Sequence, residues 1–302
     1  MTQNGDLQLF QQRLAQTARD IDALLDQMLD ARAAAAPRVV EAMRHAALGQ
    51  GKRLRPFFVR ESARLLGADD AQALRVGAAL ECVHCYSLVH DDLPAMDDDD
   101  LRRGKPTCHV AFDEATAILA GDALLTKAFA ILADAATHPH AQVRAELIAA
   151  LAQAAGHEGM VGGQMLDIEA EARRDLDEND ILRIQKLKTG ALIRYALTAG
   201  AILARAPARD RTRLANYADA VGLAFQIADD ILDVEASAEE LGKTPGKDAA
   251  ANKATFVKLY GLKRAKLKAR ELVKVAMHAL EPYGEKAQLL MQAARFVIER
   301  RK

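Results

Sequence analysis

Two apolar stretches of the sequence each run into paired aspartates. The first is Leu80-Glu-Cys-Val-His-Cys-Tyr-Ser-Leu-Val-His-Asp-Asp92, and the second is Val221-Gly-Leu-Ala-Phe-Gln-Ile-Ala-Asp-Asp-Ile-Leu-Asp233. In both stretches the apolar residues recur at three- and four-residue spacing, which is the repeat of one face of an α-helix. We therefore expect two long helices, far apart in the chain, that each carry paired aspartates.

The same helical spacing covers most of the chain. Apolar stripes occupy residues about 7–29, 53–66, 71–91, 112–136, 141–170, 177–205, 209–235, 261–280 and 283–299. No segment shows the sustained period-two alternation, rich in β-branched residues, that indicates strands. The sequence predicts an all-α protein of about ten helices, folded as a single domain over residues 1–302.

The composition favours helices and argues against several classes of protein. Aromatic residues make up only 4% of the chain, whereas alanine and leucine abound. The 41 Lys and Arg balance 42 Asp and Glu, which argues against a protein that mainly binds nucleic acid. No run reaches the roughly 18 consecutive apolar residues of a membrane anchor, and the N-terminus has no signal-peptide pattern. With only three cysteines, the sequence predicts a cytoplasmic protein with reduced thiols.

The first acidic motif places six aspartates within ten residues. They are Asp91, Asp92, Asp97, Asp98, Asp99 and Asp100. Most charge runs are solvated surface turns. This run, however, follows an apolar helix and is interrupted by Leu93-Pro-Ala-Met96, which is unusual for a simple surface loop.

The second acidic motif is Asp229, Asp230 and Asp233. On a helix Asp229 and Asp233 share one face, where like charges repel by a few tenths of a kcal/mol. A divalent cation would offset this repulsion, and Mg²⁺ typically takes one or two protein carboxylates together with waters and substrate phosphates. Two such motifs suggest several Mg²⁺ ions that grip a polyphosphate between two helices.

Basic residues beside glycine or proline supply the matching cations. They lie in Gly51-Lys-Arg-Leu-Arg-Pro56, Arg102-Arg-Gly-Lys-Pro106, Lys188-Thr-Gly190 and Leu241-Gly-Lys243. Any single Lys or Arg is more often a solvated surface charge. Their repeated position at loop and helix ends favours phosphate binding, for which arginine provides bidentate contacts and lysine a point charge.

These motifs together resemble those of the trans-isoprenyl diphosphate synthases, and within them the bacterial farnesyl diphosphate synthases. The match also includes His84, Gly121-Asp122, Gly163-Gln164 with Asp167, and Phe225-Gln226, in the family's order over about residues 45–260. The resemblance implies the isoprenoid synthase fold, with helices around a central cavity. It also implies a homodimer with one full site per chain.

The resemblance assigns roles to the acidic residues. Two of three Mg²⁺ ions would be bound by Asp91, Asp92 and Asp97. The third would be bound by Asp229, with Asp230 and Asp233 close by.

The resemblance also assigns the residues that contact substrate. Isopentenyl diphosphate would be held by Lys52, Arg55, His84 and Arg103. The allylic diphosphate would be held by the metals with Arg102, Lys188 and Lys243. Oxygens near the developing allylic cation would come from Thr189 and Gln226.

Product length follows from helix geometry. A helix rises about 5.4 Å per turn, roughly one isoprene unit, so each turn before Asp91 is about one unit deeper. Ser87 lies one turn back, and Tyr86 beside it is large enough to form the floor of a pocket. In the resembling bacterial enzymes an aromatic residue five positions before the first aspartate limits the product to C15. The expected product is (2E,6E)-farnesyl diphosphate.

Three alternatives stay open. A geranylgeranyl diphosphate synthase would use the same chemistry with a deeper pocket. A terpene cyclase is less favoured because it needs no separate isopentenyl diphosphate site. A non-catalytic partner subunit would typically lose one acidic motif, and both are intact here.

Several weaker signals have simpler interpretations. Cys82-x-x-Cys85 lies in an apolar helical stripe, so buried thiols are favoured over a zinc site. His90 is interpreted as a packing residue. The basic end Arg300-Arg-Lys302 is interpreted as a frayed helix end, although in some relatives a basic tail closes over isopentenyl diphosphate. Lys247 and Lys253 could also reach phosphate.

Overall fold

The computed structural model describes residues 3–49, 51–173, 175–240 and 255–299. Helices dominate these residues, and the all-α prediction is confirmed. The α-helical segments are α1 (Gln3–Met28), α2 (Pro37–Ala47), α3 (Leu54–Leu65), α4 (Asp70–Asp91), α5 (Cys108–Ala111), α6 (Glu114–Ala133), α7 (Ala141–Ala155), α8 (Met160–Glu171), α9 (Glu178–Gln185), α10 (Ala191–Leu203), α11 (Ala208–Glu240), α12 (Phe256–Tyr260), α13 (Leu262–Leu280) and α14 (Gln288–Glu299).

Short elements of other kinds connect some of these helices. Two 3₁₀ turns cover Ala31–Ala33 and Glu281–Ala287. A π-helical segment, Lys186–Gly190, joins α9 to α10. Strands β1 (Leu101–Arg102) and β2 (Lys105–Pro106) form a two-residue antiparallel hairpin.

The structure refines the predicted helix boundaries in two places. The stripe over 141–170 is divided into α7 and α8 around Gly156 and Gly159. Pro37, which the sequence pattern places between helices, is the first residue of α2, where a missing N–H costs nothing. The described helical segments therefore exceed ten because glycines and short turns interrupt the longer stripes.

The contacts divide the chain into two compact units, and the prediction of a single domain stays a prediction. The first unit contains residues 8–149 and 202–205. The second contains the described residues before 8, those from 150 to 201 and those from 206 onward.

In the first unit α4 is the central helix. It packs against α2, α3 and α6, and its side chains are buried almost continuously from Val76 to Val83. Each large apolar side chain buried in this way contributes roughly 1.5–3 kcal/mol to folding. This packing fixes the end of α4, where Asp91 lies.

In the second unit α11 is the central helix. It spans 33 residues and packs along α13, with α9, α12 and α14 beside it. An apolar cluster lies beneath its C-terminal half, made of Ile181, Ile227, Ile231, Phe256, Val257, Ala265 and Ala269. The second acidic motif therefore sits on a helix that is anchored by a core.

One helix of the described residues, α6, is long and apolar enough by length and composition to cross a membrane. Of its most apolar window, 44% is buried within the protein, and core helices of soluble proteins meet the same criterion.

Candidate active site

The turn after α4 brings the predicted aspartates of the first motif together. The N–H of Asp97 donates to the carbonyl of Asp91 at 2.8 Å, and the N–H of Asp99 donates to the carbonyl of Asp92 at 3.3 Å. Asp98 takes a left-handed conformation with φ of 51°. The chain therefore folds back over Pro94 so that Asp97 lies next to Asp91.

Asp92 and Arg102 form a tight ion pair in this structure. Asp92 is 3% exposed, and its Oδ1 accepts from Arg102 Nε at 2.7 Å and from Arg102 Nη2 at 2.5 Å. Burial raises the pKa of Asp92, whereas the Arg102 guanidinium opposes this rise. The pair joins a predicted metal ligand to a residue predicted to hold the allylic diphosphate.

Arg102 and Arg103 are neighbours in the sequence, but the β1–β2 hairpin gives them different positions. Arg103 and Gly104 have φ of 53° and 77°, which is the pattern of a type I′ turn. Arg102 lies on the strand beside Asp92, whereas Arg103 lies at the turn. A Cβ atom on Gly51 would stand 2.3 Å from Nη1 of Arg103, so the glycine allows Arg103 to approach the 51–55 loop closely.

Three of the predicted isopentenyl diphosphate residues influence one another. Burial, followed by the positive charges of Arg55 and Arg103, lowers the pKa of His84 well below its usual value. The imidazole is therefore neutral near pH 7 and provides a hydrogen-bond donor without adding charge. Lys52 is exposed and follows Gly51 directly. The charges of Arg55 and Arg103 therefore act on His84, whereas Lys52 is placed only by its position beside Gly51.

The π-helical segment positions Lys188 and Thr189. Lys188 Nζ donates to Asp167 Oδ2 at 2.5 Å. A Cβ atom on Gly163 would lie 2.1 Å from the backbone nitrogen of Lys188, so α8 and this segment touch through their backbones. π-Helical turns occur frequently at functional sites. Asp167 belongs to a family motif, but the sequence did not predict its pairing with Lys188.

In the second acidic motif Asp230 has a contact that the sequence did not predict. Its Oδ2 accepts from the N–H of Phe256 at 3.0 Å and from Gln185 Nε2 at 3.4 Å. Gln226 and Asp229 are half-buried on α11. The side chain of Asp233 and the whole of Lys243 lie outside the described residues, as do Lys247, Lys253 and residues 300–302.

Tyr86, which is proposed from the sequence as a pocket floor, is a buried residue of α4. It is 7% exposed, and burial together with the nearby Asp91 carboxylate raises the pKa of its hydroxyl to about 12. Its ring meets that of His90 edge-on at 5.8 Å. Ser87 is half-buried, and its Oγ donates to the carbonyl of His84 at 2.9 Å.

His90 is confirmed as a packing residue. Its Nε2 is 3.1 Å from the carbonyl oxygen of Ile118, and a Cβ atom on Gly121 would lie 2.1 Å from the same nitrogen. Gly121, which belongs to one of the motifs quoted above, therefore makes room for the His90 ring. As a result, α4 and α6 pack closely at this point.

The buried-thiol interpretation of the cysteines is also confirmed. Cys82, Cys85 and Cys108 are free and buried. Burial raises the pKa of all three thiols, to about 12 for Cys85 and about 11 for Cys108. The thiolate forms, which act as nucleophiles and metal ligands, are therefore disfavoured.

The donor chemistry of the acidic motifs fits Mg²⁺. Among the residues that the structure describes, no three acidic, His or Cys side chains converge as a preformed metal site. The motifs offer carboxylate oxygens, and Mg²⁺ is bound through one or two carboxylates together with substrate phosphates rather than by an all-protein cage. Asp91 and Asp97, which the turn brings together, suit this mode of binding.

Comparison with known proteins identifies the family. Residues 36–293 match the polyprenyl synthetase family. The chain belongs to this family. Among its relatives, the farnesyl diphosphate synthase of Escherichia coli is 47% identical over 269 residues, which is 87% of this chain and 90% of the relative. The farnesyl diphosphate synthase of Haemophilus influenzae is 44% identical, over 97% of this chain and 99% of the relative.

A solved structure supports the same fold for this polyprenyl synthetase. The apo form of an FPP/GFPP synthase from Zymomonas mobilis superimposes with a TM-score of 0.89 at 46% identity. The match covers 97% of this chain and 99% of that one. The isoprenoid synthase fold predicted from the sequence is therefore confirmed.

Proposed function

We propose that this polyprenyl synthetase condenses isopentenyl diphosphate head-to-tail with dimethylallyl diphosphate and then with geranyl diphosphate. The product is (2E,6E)-farnesyl diphosphate. The observation that carries this proposal is the identity of 47% and 44% to two farnesyl diphosphate synthases over most of the chain. The charges of Arg55 and Arg103 that act on His84 support it.

The reaction begins when the allylic C–O bond breaks, leaving an allylic carbocation and a diphosphate anion. Lys188, Arg102 and Lys243 are proposed to hold the leaving diphosphate, because preorganised positive charge is most effective where negative charge develops. Thr189 and Gln226 are proposed to place oxygens near the cation. Mg²⁺, when bound, would act as a Lewis acid that disperses the charge of the leaving group.

The isopentenyl double bond then attacks the cation, and a proton is lost. Lys52, Arg55, His84 and Arg103 are proposed to hold isopentenyl diphosphate for this attack. No protein nucleophile is required, and the departing diphosphate is able to take the proton. Apolar helices are proposed to exclude water, which would otherwise quench the cation to an alcohol.

The metal is proposed to be Mg²⁺, with three ions per site. Asp91, Asp92 and Asp97 would hold two of them in the first motif. In the second motif Asp229 would hold the third, with Asp230 and Asp233 close by. The oxygen-only donor set and the adjacency of Asp97 to Asp91 support this assignment.

The protein is proposed to be a soluble, cytoplasmic homodimer without a membrane anchor, with isoprenoid diphosphates as its small-molecule partners and no nucleic acid. Exposed apolar side chains support the dimer. In the first unit Ile118 and Leu119 of α6 are 44% and 53% exposed. In the second unit a stripe on α8 is exposed, made of Val161, Met165 and Ile168.

Initial rates with labelled isopentenyl diphosphate test the proposal. Purified protein is given dimethylallyl, geranyl or farnesyl diphosphate as the second substrate, with Mg²⁺ or with a chelator. We expect Mg²⁺-dependent condensation with the first two substrates and refusal of farnesyl diphosphate. Efficient use of farnesyl diphosphate would favour the geranylgeranyl alternative. No condensation by folded protein would favour a non-catalytic partner subunit.

A further inference from the structure

Arg53 differs from the two basic residues around it. Lys52 is exposed and Arg55 is half-buried, whereas the side chain of Arg53 is 1% exposed. Its backbone has φ of 51° and ψ of 40°, in the left-handed region. Residues other than glycine hold such a conformation only where their surroundings determine it strongly. The contacts of the side chain provide that constraint.

The Arg53 guanidinium joins three helices. Nε and Nη2 donate to Asp22 Oδ1 of α1 at 3.1 and 2.6 Å. Nη1 donates to Glu81 Oε1 of α4 at 2.5 Å, and Nη2 also donates to the carbonyl of Ala47 at the end of α2 at 2.5 Å. Because Glu81 is only 2% exposed, neither charge of the central pair is stabilised by water, and each depends on the other.

The electrostatics agree with this geometry. Burial by itself disfavours the charged guanidinium, but the Glu81 and Asp22 carboxylates raise the pKa of Arg53 above its ordinary value. The guanidinium N–H groups of Arg53 donate to acceptors of the protein itself, so its side chain is a structural cation. It is not directed toward a substrate phosphate.

Arg53 controls the path of its neighbours. It is the N-terminal cap residue of α3, and its carbonyl accepts from the N–H of Phe57 at 3.0 Å. Lys52 precedes the left-handed residue and Arg55 lies in the first turn after it. Glu81 is three residues before His84, so the Arg53–Glu81 pair connects the 51–55 loop to the part of α4 that carries His84.

We propose that Arg53 is a positioning residue for the isopentenyl diphosphate site. Its buried pairing with Glu81 and Asp22 sets the left-handed turn, and this turn directs Lys52 and Arg55 toward the diphosphate. The role rests on the proposed function, because it presumes that Lys52, Arg55 and His84 bind this substrate. Arg53 itself does not touch the substrate.

Steady-state kinetics of Arg53→Lys test the role. Lysine keeps the charge but cannot bridge two carboxylates and a carbonyl with a planar fork. We expect KM for isopentenyl diphosphate to rise about tenfold or more, because small misplacements of binding groups are costly. KM for geranyl diphosphate and kcat should change less than about twofold. Glu81→Gln, which removes the partner's charge, should shift KM in the same direction.

The matched control is Arg60→Lys. Arg60 is also buried, and it pairs with Asp20 at 2.7 Å and Asp70 at 2.5 Å in the same unit, but it lies inside α3. This variant should lose stability without a change in KM for isopentenyl diphosphate. Thermal unfolding of every variant confirms that the kinetics are measured on folded protein.

The outcomes separate this proposal from the proposed function. If the unmodified protein shows no condensation, the proposed function is wrong, and this role has no basis. If the unmodified protein is active and both Arg53→Lys and Glu81→Gln leave KM for isopentenyl diphosphate unchanged, the positioning role is wrong. Equal rises in KM for both substrates would also overturn it. If Arg53→Lys does not fold, Glu81→Gln alone decides between these outcomes.

Discussion

Individual residues of the site are held by partners of opposite charge. Asp92 pairs with Arg102, Lys188 with Asp167, and Arg53 with Glu81. Buried or half-buried charges need such partners, because an uncompensated charge away from water costs several kcal/mol. The pairing keeps the side chains ordered near positions from which they can meet a diphosphate and its metals.

The first prediction at this scale concerns Tyr86. Tyr86→Ala removes the buried ring that is proposed to form the pocket floor about one turn before Asp91. The products should lengthen to C20 or beyond, as measured by chromatography of the dephosphorylated alcohols. Tyr86→Phe, which keeps the ring, is the control and should keep C15 as the main product. An unchanged C15 product from Tyr86→Ala would contradict the role of the ring.

The second prediction concerns His84. Its pKa is lower in the folded protein than the unfolded value of about 6.5, so the unfolded chain binds the extra proton. Above the unfolded pKa His84 is neutral in both states and does not reduce the free energy of unfolding. As the pH falls below that pKa, the unfolded chain takes up the proton and the free energy of unfolding declines. His84→Gln should therefore reduce the loss of stability between about pH 8 and pH 5 in denaturant titrations. An identical pH dependence in both proteins would be inconsistent with an imidazole whose pKa is lowered in the folded protein.

At the scale of elements, each motif is placed by the end of a helix or by an interruption in one. α4 ends at Asp91, and the following turn returns Asp97 to it. The π-helical segment carries Lys188 and Thr189 between α9 and α10. Regular helices supply rigidity, and the irregular segments provide the local geometry of the site.

The third prediction distinguishes Asp229 from Asp230 on α11. Asp230→Ala removes the carboxylate that accepts from Phe256 N–H at the start of α12, so the free energy of unfolding should fall by about 1 kcal/mol. Asp229→Ala should lower kcat by about 100-fold, since it is proposed to hold a metal ion. Denaturant titration and initial rates measure both effects. A larger loss of kcat in Asp230→Ala than in Asp229→Ala would contradict this division of roles.

The sequence predicted the helices and acidic motifs because both depend on local patterns. One group of aspartates inside an apolar stripe, such as Asp229 after Ile227, is a weak indication of a functional site. Two such groups in one all-α chain are a much stronger one. The return of Asp97 to Asp91, the left-handed turn at Arg103 and the capping contact of Asp230 depend on residues distant in the chain or on single backbone angles. The π-helical segment has side chains that suit an ordinary α-helix equally well, so the sequence could not distinguish the two.

At the scale of the molecule, the two units each contain one acidic motif on a long, well-packed helix. The family match covers both motifs, because the matched residues 36–293 include them. Ile118 and Leu119 of α6 are neighbouring large apolar side chains that are exposed in the single chain, and contiguous exposed apolar patches often mark an interface.

The fourth prediction tests the proposed homodimer. Leu119→Glu places a charge on the exposed apolar face of α6 and should shift the protein toward monomer in sedimentation equilibrium. Leu267 of α13 is similarly exposed, at 50% against 53% for Leu119, so Leu267→Glu is the matched control and should stay dimeric. A dimer that persists in Leu119→Glu, or that dissociates only in Leu267→Glu, would contradict an interface on α6.

The central claim is that the chain makes farnesyl diphosphate, and product length tests it most directly. The unmodified protein is incubated with Mg²⁺, geranyl diphosphate and an excess of labelled isopentenyl diphosphate until the reaction stops, and the dephosphorylated products are separated by length. We predict a C15 alcohol as the main product, with little C20. A main product of C20 or longer, or the absence of any condensation product from folded protein, would contradict the claim.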